Sequence, residues 1–285
     1  MRLLSFSRRG EPSFGAVKDG GVVELAGRLR ARSLRELLEA NLLEVARQVV
    51  DARAGDHALD ELRFLPPVPD AEKILCIGVN YPERNAEYRD ASEQPKHPSV
   101  FMRTRESLVG HGEALLRPPE SAQLDYEGEV VMVIGREGRR IPQARAREHV
   151  AGLTIMNEGT IRDWVRHGKF NVTQGKNFAR SGSMGPWMVT SDALPAFDAL
   201  HLRTRVNDEL RQDDTTARLM FPFAALVAYL STFMTLRPGD LVSTGTPAGA
   251  GARLDPPRWL RPGDRVEVEV EGIGVLANTV EDEKT

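Results

Sequence analysis

The sequence has one cysteine, Cys76, so no disulfide can close within the chain, and a reducing compartment suits it. No apolar run approaches the ~20 residues that a membrane helix needs. The first residues, MRLLSFSRRGEPSF, hold no sustained apolar stretch, so a secretory leader is not expected. Neither sign of charge prevails: 38 Lys and Arg stand against 41 Asp and Glu, for a net charge of −3. The arginines are interleaved with acids, which leaves no basic face for a polyanion. Aromatic residues make up only 6%, and no aromatic platform for stacking bases stands out. These absences exclude membrane and nucleic-acid partners and predict a soluble, cytoplasmic chain.

What is present is ordinary for a globular protein: 41% hydrophobic and 28% charged residues over 285 positions. That length suffices for one large domain, or for a small domain and a larger one. Arg2–Phe6 and Phe14–Val17 are strand-like, and Lys18-Asp19-Gly20-Gly21 predicts a hairpin turn before Val22–Leu25. Apolar residues at helical spacing predict a helix over 33–53, with Ser33 as its N-cap and Glu36 completing a capping box. The prolines of Leu65-Pro66-Pro67-Val68-Pro69 then read as a linker. The division that follows is a small α+β N-terminal domain over 1–68 and a catalytic domain over 69–285.

From residue 73 onward the pattern is mostly β. Strands are expected at 73–78, 99–102, 129–134, 186–190, 201–207, 240–244 and 265–270, with helices at 82–90, 142–150 and 222–235. Cys76 lies in the first of these strands and reads as a small core residue. The polar, charged segment 82–97 reads as a lid. Regular β-α-β alternation is absent, so the fold class is α+β and strand-rich rather than a doubly wound parallel sheet.

The chemistry concentrates in Asp125-Tyr126-Glu127-Gly128-Glu129 and the apolar run behind it. Residues i and i+2 share one face of a strand, so the Glu127 and Glu129 carboxylates converge. Like charges that close repel unless a cation lies between them. No basic residue is adjacent in sequence, and Val131 and Val133 carry the same face toward a core. A hard cation such as Mg²⁺ or Mn²⁺ meets that demand. Taken alone, the pair reads more simply as two surface glutamates on a solvated strand edge.

Further motifs follow in order: Asn157-Glu158-Gly159-Thr160-Ile161-Arg162-Asp163, then Gly175-Lys176-Asn177-Phe178. Gly185-Pro186-Trp187-Met188-Val189 and Thr244-Gly245-Thr246-Pro247-Ala248-Gly249-Ala250-Gly251 come after them. Together with Tyr126-Glu127-Gly128-Glu129 they resemble the fumarylacetoacetate hydrolase family over roughly residues 72–280. Within that family the likeness is to members of the 2-hydroxyhepta-2,4-diene-1,7-dioate isomerase and 2-keto-4-pentenoate hydratase type. The resemblance implies a mixed β-roll catalytic domain, a homodimer, and Mg²⁺ or Mn²⁺ held by Glu127, Glu129 and Glu158. Glu158 departs from the family, which usually has Asp there; Asp163 is the nearby substitute, or else an ion-pair partner of Arg162 or a neighbouring arginine. Lys176 matches a lysine near substrate oxygens, where an ammonium would stabilise developing negative charge. Gly245 and Thr246 match a loop that contacts a substrate carboxylate. Arg103 matches a position that commonly holds Lys, where a guanidinium can grip a carboxylate; Arg105 is its rival.

A second departure bears on the reaction. Family members that cleave acylpyruvates carry N-Y-x-x-H-x-x-E, whereas this chain reads Asn80-Tyr81-Pro82-Glu83-Arg84-Asn85-Ala86-Glu87. Glu87 matches the glutamate, but Arg84 replaces the histidine, and arginine stays protonated and cannot take a proton from water. Arg84 and Glu87, three apart, are expected to pair on a short helix, either to clamp a carboxylate or as a plain surface pair. Glu87 is the surviving candidate acid or base; His111 and His167 are alternatives that read more simply as loop histidines. The resemblance implies an enzyme acting on a small 2-oxo or 2,4-dioxo acid through an enolate held at the metal, in the catabolism of aromatic compounds. Hydrolysis, isomerisation, decarboxylation and hydration all pass through that species. The alternative is a non-catalytic metal- and carboxylate-binding relative in which Arg84 has ended the chemistry.

Overall fold

A computed structural model describes residues 1–87, 93–168, 171–194, 197 and 199–284. Strands dominate. One mixed sheet runs through Gly21–Glu24, Glu11–Lys18, Arg2–Arg8, Gly182–Thr190, Val150–Asn157, Gly128–Ile134, Leu241–Ser243, Ile74–Gly78 and Ser99–Met102, with short strands added to Gly21–Glu24, Arg2–Arg8 and Gly182–Thr190. Most neighbours are antiparallel, but Leu241–Ser243 runs parallel to Ile74–Gly78. A second sheet orders Glu209–Thr215, His201–Val206, Arg265–Val270, Gly274–Asp282 and Leu115–Arg117. The strand-rich α+β class expected from the sequence is what the chain adopts.

The large sheet is covered on both faces, which is why its central strands lack an apolar–polar alternation. Val130, Met132 and Ile134 point to one side, with Leu202, Val268 and Leu276 of the second sheet and with Leu226 and Leu230 of the helix Phe223–Phe233. Val131 and Val133 point to the other side, into a cluster with Cys76, Met156, Met184, and Leu34 and Leu37 from the first helix. The N-terminal strands join this same sheet through Arg2↔Val189 and Leu3↔Met188.

The seven strands expected after residue 73 all form, within a few residues of their boundaries. Three long strands and several short ones, Leu115–Arg117 among them, were not foreseen. Val150–Asn157 is buried at all eight positions, so nothing in its pattern separates strand from buried helix. Glu209–Thr215 is a polar edge strand, and Gly274–Asp282 mixes buried and exposed positions. The helix expected over 142–150 is a 3₁₀ segment, Gln143–His149.

The helix expected over 33–53 is two helices, Leu34–Glu39 and Leu43–Asp51. Asn41 breaks it with φ of 53°, while Leu42 N–H bonds the Leu37 carbonyl, a left-handed C-terminal cap that asparagine tolerates. Ser33 caps the first helix by accepting from the Glu36 N–H, but the Glu36 carboxylate accepts from Arg32 N–H rather than closing the capping box. The hairpin turn forms as expected, with positive φ at Asp19 and Gly20. Of the helix expected over 82–90, Pro82–Ala86 is seen; residues 88–92, part of the segment expected as a lid, lie outside the described residues. No described helix is long and apolar enough to cross a membrane.

Candidate metal centre and active site

Antiparallel register assembles the acidic cluster. Gly128 pairs with Asn157, so Glu127 at the start of one strand lies beside Glu158 at the end of the next, and Glu158 N–H bonds the Glu127 carbonyl at 2.7 Å. Glu129 follows one residue into the strand. All three side chains are buried, at 4%, 1% and 2% exposure. One carboxylate oxygen from each lies within 4.8 Å of the others. Chain tightness at Gly159 keeps them there: a β-carbon on that residue would meet the Ser181 carbonyl at 1.7 Å.

Arginine and lysine surround this cluster. Arg162 donates to Glu127 Oε1 at 2.6 Å and to Asp125 at 2.7 Å. Arg84 donates to the same Glu127 oxygen at 3.1 Å and to Glu87 at 2.8 Å. Lys176 Nζ bonds Glu127 Oε2 and, at 2.8 Å, Glu158 Oε2. Burial alone would raise the Glu127 carboxyl, but Arg162, Lys176 and Arg84 outweigh it and hold it well below the usual range. Glu129 goes the other way: burial, then the Glu158 and Glu127 charges, push it well up. Burial would lower the Lys176 ammonium, yet Glu127 and Glu158 more than compensate and raise it.

Glu129 accepts two bonds through Oε2, from the Ser243 hydroxyl at 2.6 Å and from Gly245 N–H at 2.9 Å. Gly245 reaches it with φ of 96°, and a β-carbon there would come within 2.8 Å of Asn80, so only glycine fits. Glu158 Oε1 is buried and has no hydrogen-bond partner. A buried, unpartnered carboxylate oxygen is costly, and three converging glutamate oxygens form an all-oxygen donor set. The residues therefore fit a hard divalent cation, which Glu127, Glu129 and Glu158 could hold.

The cluster forms the floor of a cavity of 1120 Å³, lined by Val100, Phe101, Val165 and Val172 and by the polar Arg84, Arg103, Thr104, Arg105, Lys176 and Thr246 among others. Val79 lines it too, with φ of 37°, a strained backbone for a β-branched residue beside a site.

The candidate residues converge, though several hold partners other than those expected. Arg84 and Glu87 pair as foreseen, but Arg84 is buried, at 3% exposure, so the plain surface pair is ruled out. Glu87 also accepts from Gly249 N–H at 2.8 Å, which ties it to the glycine-rich loop. Arg103 is buried and donates to the Gly159 carbonyl, Ser107 and Ser181, bracing the turn that carries Glu158. Gly245 spends its N–H on Glu129, and Thr246 bonds the Gly128 carbonyl while accepting from Gln212. Asp163 does not pair with Arg162: it caps Trp164 and accepts from Ser121, because Arg162 faces Asp125 and Glu127 instead. His111 accepts from Ala277 N–H and packs on Phe64, while His167 packs on Trp164; neither lines the cavity.

Asp125, Ser243 and Asn80 escaped the sequence reading as site residues. Asp125 is wholly buried and accepts from Arg162, Gly251 N–H and Ala252 N–H. Its place one residue before Tyr126-Glu127 was the available signal. Asn80 clips the Thr244 carbonyl and both backbone groups of Phe221. Nothing local marks Ser243, which reaches Glu129 from a strand 114 residues away.

Against this geometry, the family model described as fumarylacetoacetate (FAA) hydrolase, C-terminal, matches residues 73–281. The chain belongs to that family. Oxaloacetate tautomerase YisK of Bacillus subtilis is 38% identical over 227 residues, 79% of this chain and 75% of that protein. The mitochondrial oxaloacetate tautomerase Fahd2a of Rattus norvegicus is 35% identical over 289 residues, 98% of this chain and 91% of that one. Among solved structures, a fumarylacetoacetate hydrolase from psychrophilic Exiguobacterium antarcticum aligns with a TM-score of 0.83 at 30% identity, covering 99% of this chain and 100% of that one. The protein is thus a fumarylacetoacetate hydrolase family enzyme, and its strand-rich fold is the family's.

Proposed function

We propose that this enzyme interconverts the enol and keto forms of a small 2-oxo acid with the help of a divalent cation. The observation that carries the reading is Lys176: its buried ammonium bonds both Glu127 and Glu158 on the cavity floor, while no histidine lines that cavity among the described residues. Bound at Glu127, Glu129 and Glu158, a divalent cation would supply Lewis-acid polarisation of an oxo group. Lys176 keeps its proton because two carboxylates face it, so an ammonium meets the oxygen on which enolate charge develops. In the enol-to-keto direction one proton leaves that oxygen and one joins the neighbouring carbon. No water is consumed, so no base that activates water is required, and Arg84 in the histidine's place is no obstacle. Glu87 does not itself line the cavity but is bonded to Arg84, which does, and to the Gly249 N–H; it is the carboxylate assigned to the proton at carbon. The names carried by the Bacillus and Rattus relatives support the same class of reaction.

A second reading, hydrolytic cleavage of a 2,4-dioxo acid, draws on the cavity volume of 1120 Å³, which is generous for a four-carbon acid. The two are separated by following the ultraviolet absorbance of enol-oxaloacetate and of an acylpyruvate, with Mg²⁺ or Mn²⁺ and with chelator. The proposal expects accelerated loss of the enol, abolished by chelator and by Lys176→Met. Cleavage of the acylpyruvate with no effect on the oxaloacetate enol would overturn it.

A further inference from the structure

Three cations converge on Glu127, and they are not held alike. Arg162 is anchored behind the carboxylate by Asp125, itself fixed by Gly251 and Ala252 N–H groups. Lys176 is shared with Glu158. Arg84 makes the longest of the three contacts, 3.1 Å against 2.6 Å for Arg162, and it lines the cavity on the short helix Pro82–Ala86. Arg84 also pairs with Glu87, whose side chain is 20% exposed.

A divalent cation taking Glu127, Glu129 and Glu158 would add two positive charges where Arg84, Arg162, Arg103 and Lys176 already stand. Coulomb repulsion in a buried site makes that surplus expensive, and an incoming anion relieves it. The weakest of the three contacts to Glu127 is the one that yields. A guanidinium released there faces the cavity, with the fork geometry that a carboxylate matches in two bonds. Resting on the metal-dependent reading above, we propose that Arg84 couples cation binding to anion binding: it neutralises Glu127 in the metal-free enzyme and passes to a substrate carboxylate when a cation occupies the glutamates. The exchange makes a carboxylate-bearing 2-oxo acid and the divalent cation bind synergistically.

The test needs no turnover. Mn²⁺ is titrated into the full-length protein and free Mn²⁺ is read by electron paramagnetic resonance, with and without oxalate as an unreactive dicarboxylate, correcting for the complex formed in solution. In the wild type, oxalate should tighten Mn²⁺ by about tenfold or more, within the usual span of coupling between sites. Arg84→Met should bind Mn²⁺ more tightly alone and lose most of the effect of oxalate. Arg84→Lys, which keeps the charge without the fork, should bind Mn²⁺ near the wild-type level with a reduced oxalate effect. Glu87→Gln, which frees Arg84 from a competing carboxylate, should strengthen the oxalate effect and serves as the test should the Arg84 variants fail to fold. Equal Mn²⁺ affinity and equal oxalate effect in wild type and Arg84→Met, or an unchanged oxalate effect in Glu87→Gln, would overturn the inference alone. A wild-type protein that binds no Mn²⁺ would overturn the metal-dependent function as well.

Discussion

Arg162 and Asp125 form a buried ion pair that stands behind the glutamate cluster, with the Arg162 side chain 14% exposed and the Asp125 side chain at 0%. Removing Arg162 leaves the buried Asp125 carboxylate without its cation and takes one of three cationic partners from Glu127. Breaking a buried pair from one side costs about 3–5 kcal/mol, since the remaining charge is left without compensation. Arg162→Met is expected to lose stability on that scale in urea unfolding of the metal-free protein. A change under about 1 kcal/mol, the range of exposed pairs, would show that Asp125 is not in fact sealed from water.

Glu129 predicts a pH dependence. Its carboxyl in the metal-free enzyme lies above the unfolded value, raised first by burial and then by Glu158 and Glu127. Stability from such a group is fully present below the unfolded pKa of about 4.3 and is lost as pH rises through the folded value. Glu129→Gln removes that loss. With chelator present, the variant should gain stability relative to wild type as pH rises from about 4 to about 7. With saturating Mn²⁺ the order should reverse, because the variant lacks one ligand carboxylate. Parallel pH curves for the two proteins in chelator would refute the assignment.

How much of this was legible in the sequence follows from which interactions are local. The convergence of Glu127 and Glu129 follows from strand periodicity alone, and the face they share with Val131 and Val133 does lead into a core. Their cationic neighbours were hidden, because Arg84, Arg162 and Lys176 lie 43, 35 and 49 residues from Glu127. Arg162 was misassigned to Asp163 for the same reason: adjacency in sequence says little where a 3₁₀ turn directs Asp163 to Trp164. The break at Asn41 was missed because the apolar spacing continues across it, while the left-handed cap shows only in the backbone. Strand Val150–Asn157, buried on both faces, lacks the alternation on which such reading depends.

Glu127 is the carboxylate on which Arg84, Arg162 and Lys176 all converge, so its removal strikes cation binding and folding together. Glu127→Ala should abolish Mn²⁺ binding and turnover together. It also leaves three buried cations without their shared partner, so a lowered melting temperature is expected alongside. Activity at the wild-type level in this variant would sink the metal-centre assignment.

Lys176 tests the chemistry more narrowly. Its ammonium also lies 5.3 Å from the Phe101 ring, which limits its freedom to turn away from the glutamates. Loss of one preorganised charge of this kind typically lowers kcat by about 10²–10³. Lys176→Met is expected to fall in that range while still binding Mn²⁺, with tighter binding in the absence of substrate because a competing cation is gone. Lys176→Arg keeps charge but moves it, and should recover less than the full rate. A Lys176→Met enzyme with unchanged kcat would place the oxygen-stabilising group elsewhere.

Cys76 gives the last check, on the integrity of the core around the site. Its thiol is buried in the strand Ile74–Gly78, and burial, followed by the Glu158 and Glu129 charges, pushes its pKa well up. Thiolate is the reactive form, so both access and ionisation argue against modification of the folded protein. A thiol-disulfide reagent should leave the native enzyme unlabelled over hours and label one equivalent promptly in denaturant. Because Cys76 packs with Val131, Val133 and Met156 in the core on one face of the sheet that carries Glu129, its labelling should require opening of that core rather than a local fluctuation. In a urea series below the unfolding midpoint, the labelling rate should therefore rise in step with the unfolded fraction. Rapid labelling of the native protein would mean that the sheet carrying Glu129 opens without global unfolding and that Cys76 is not sealed in its core.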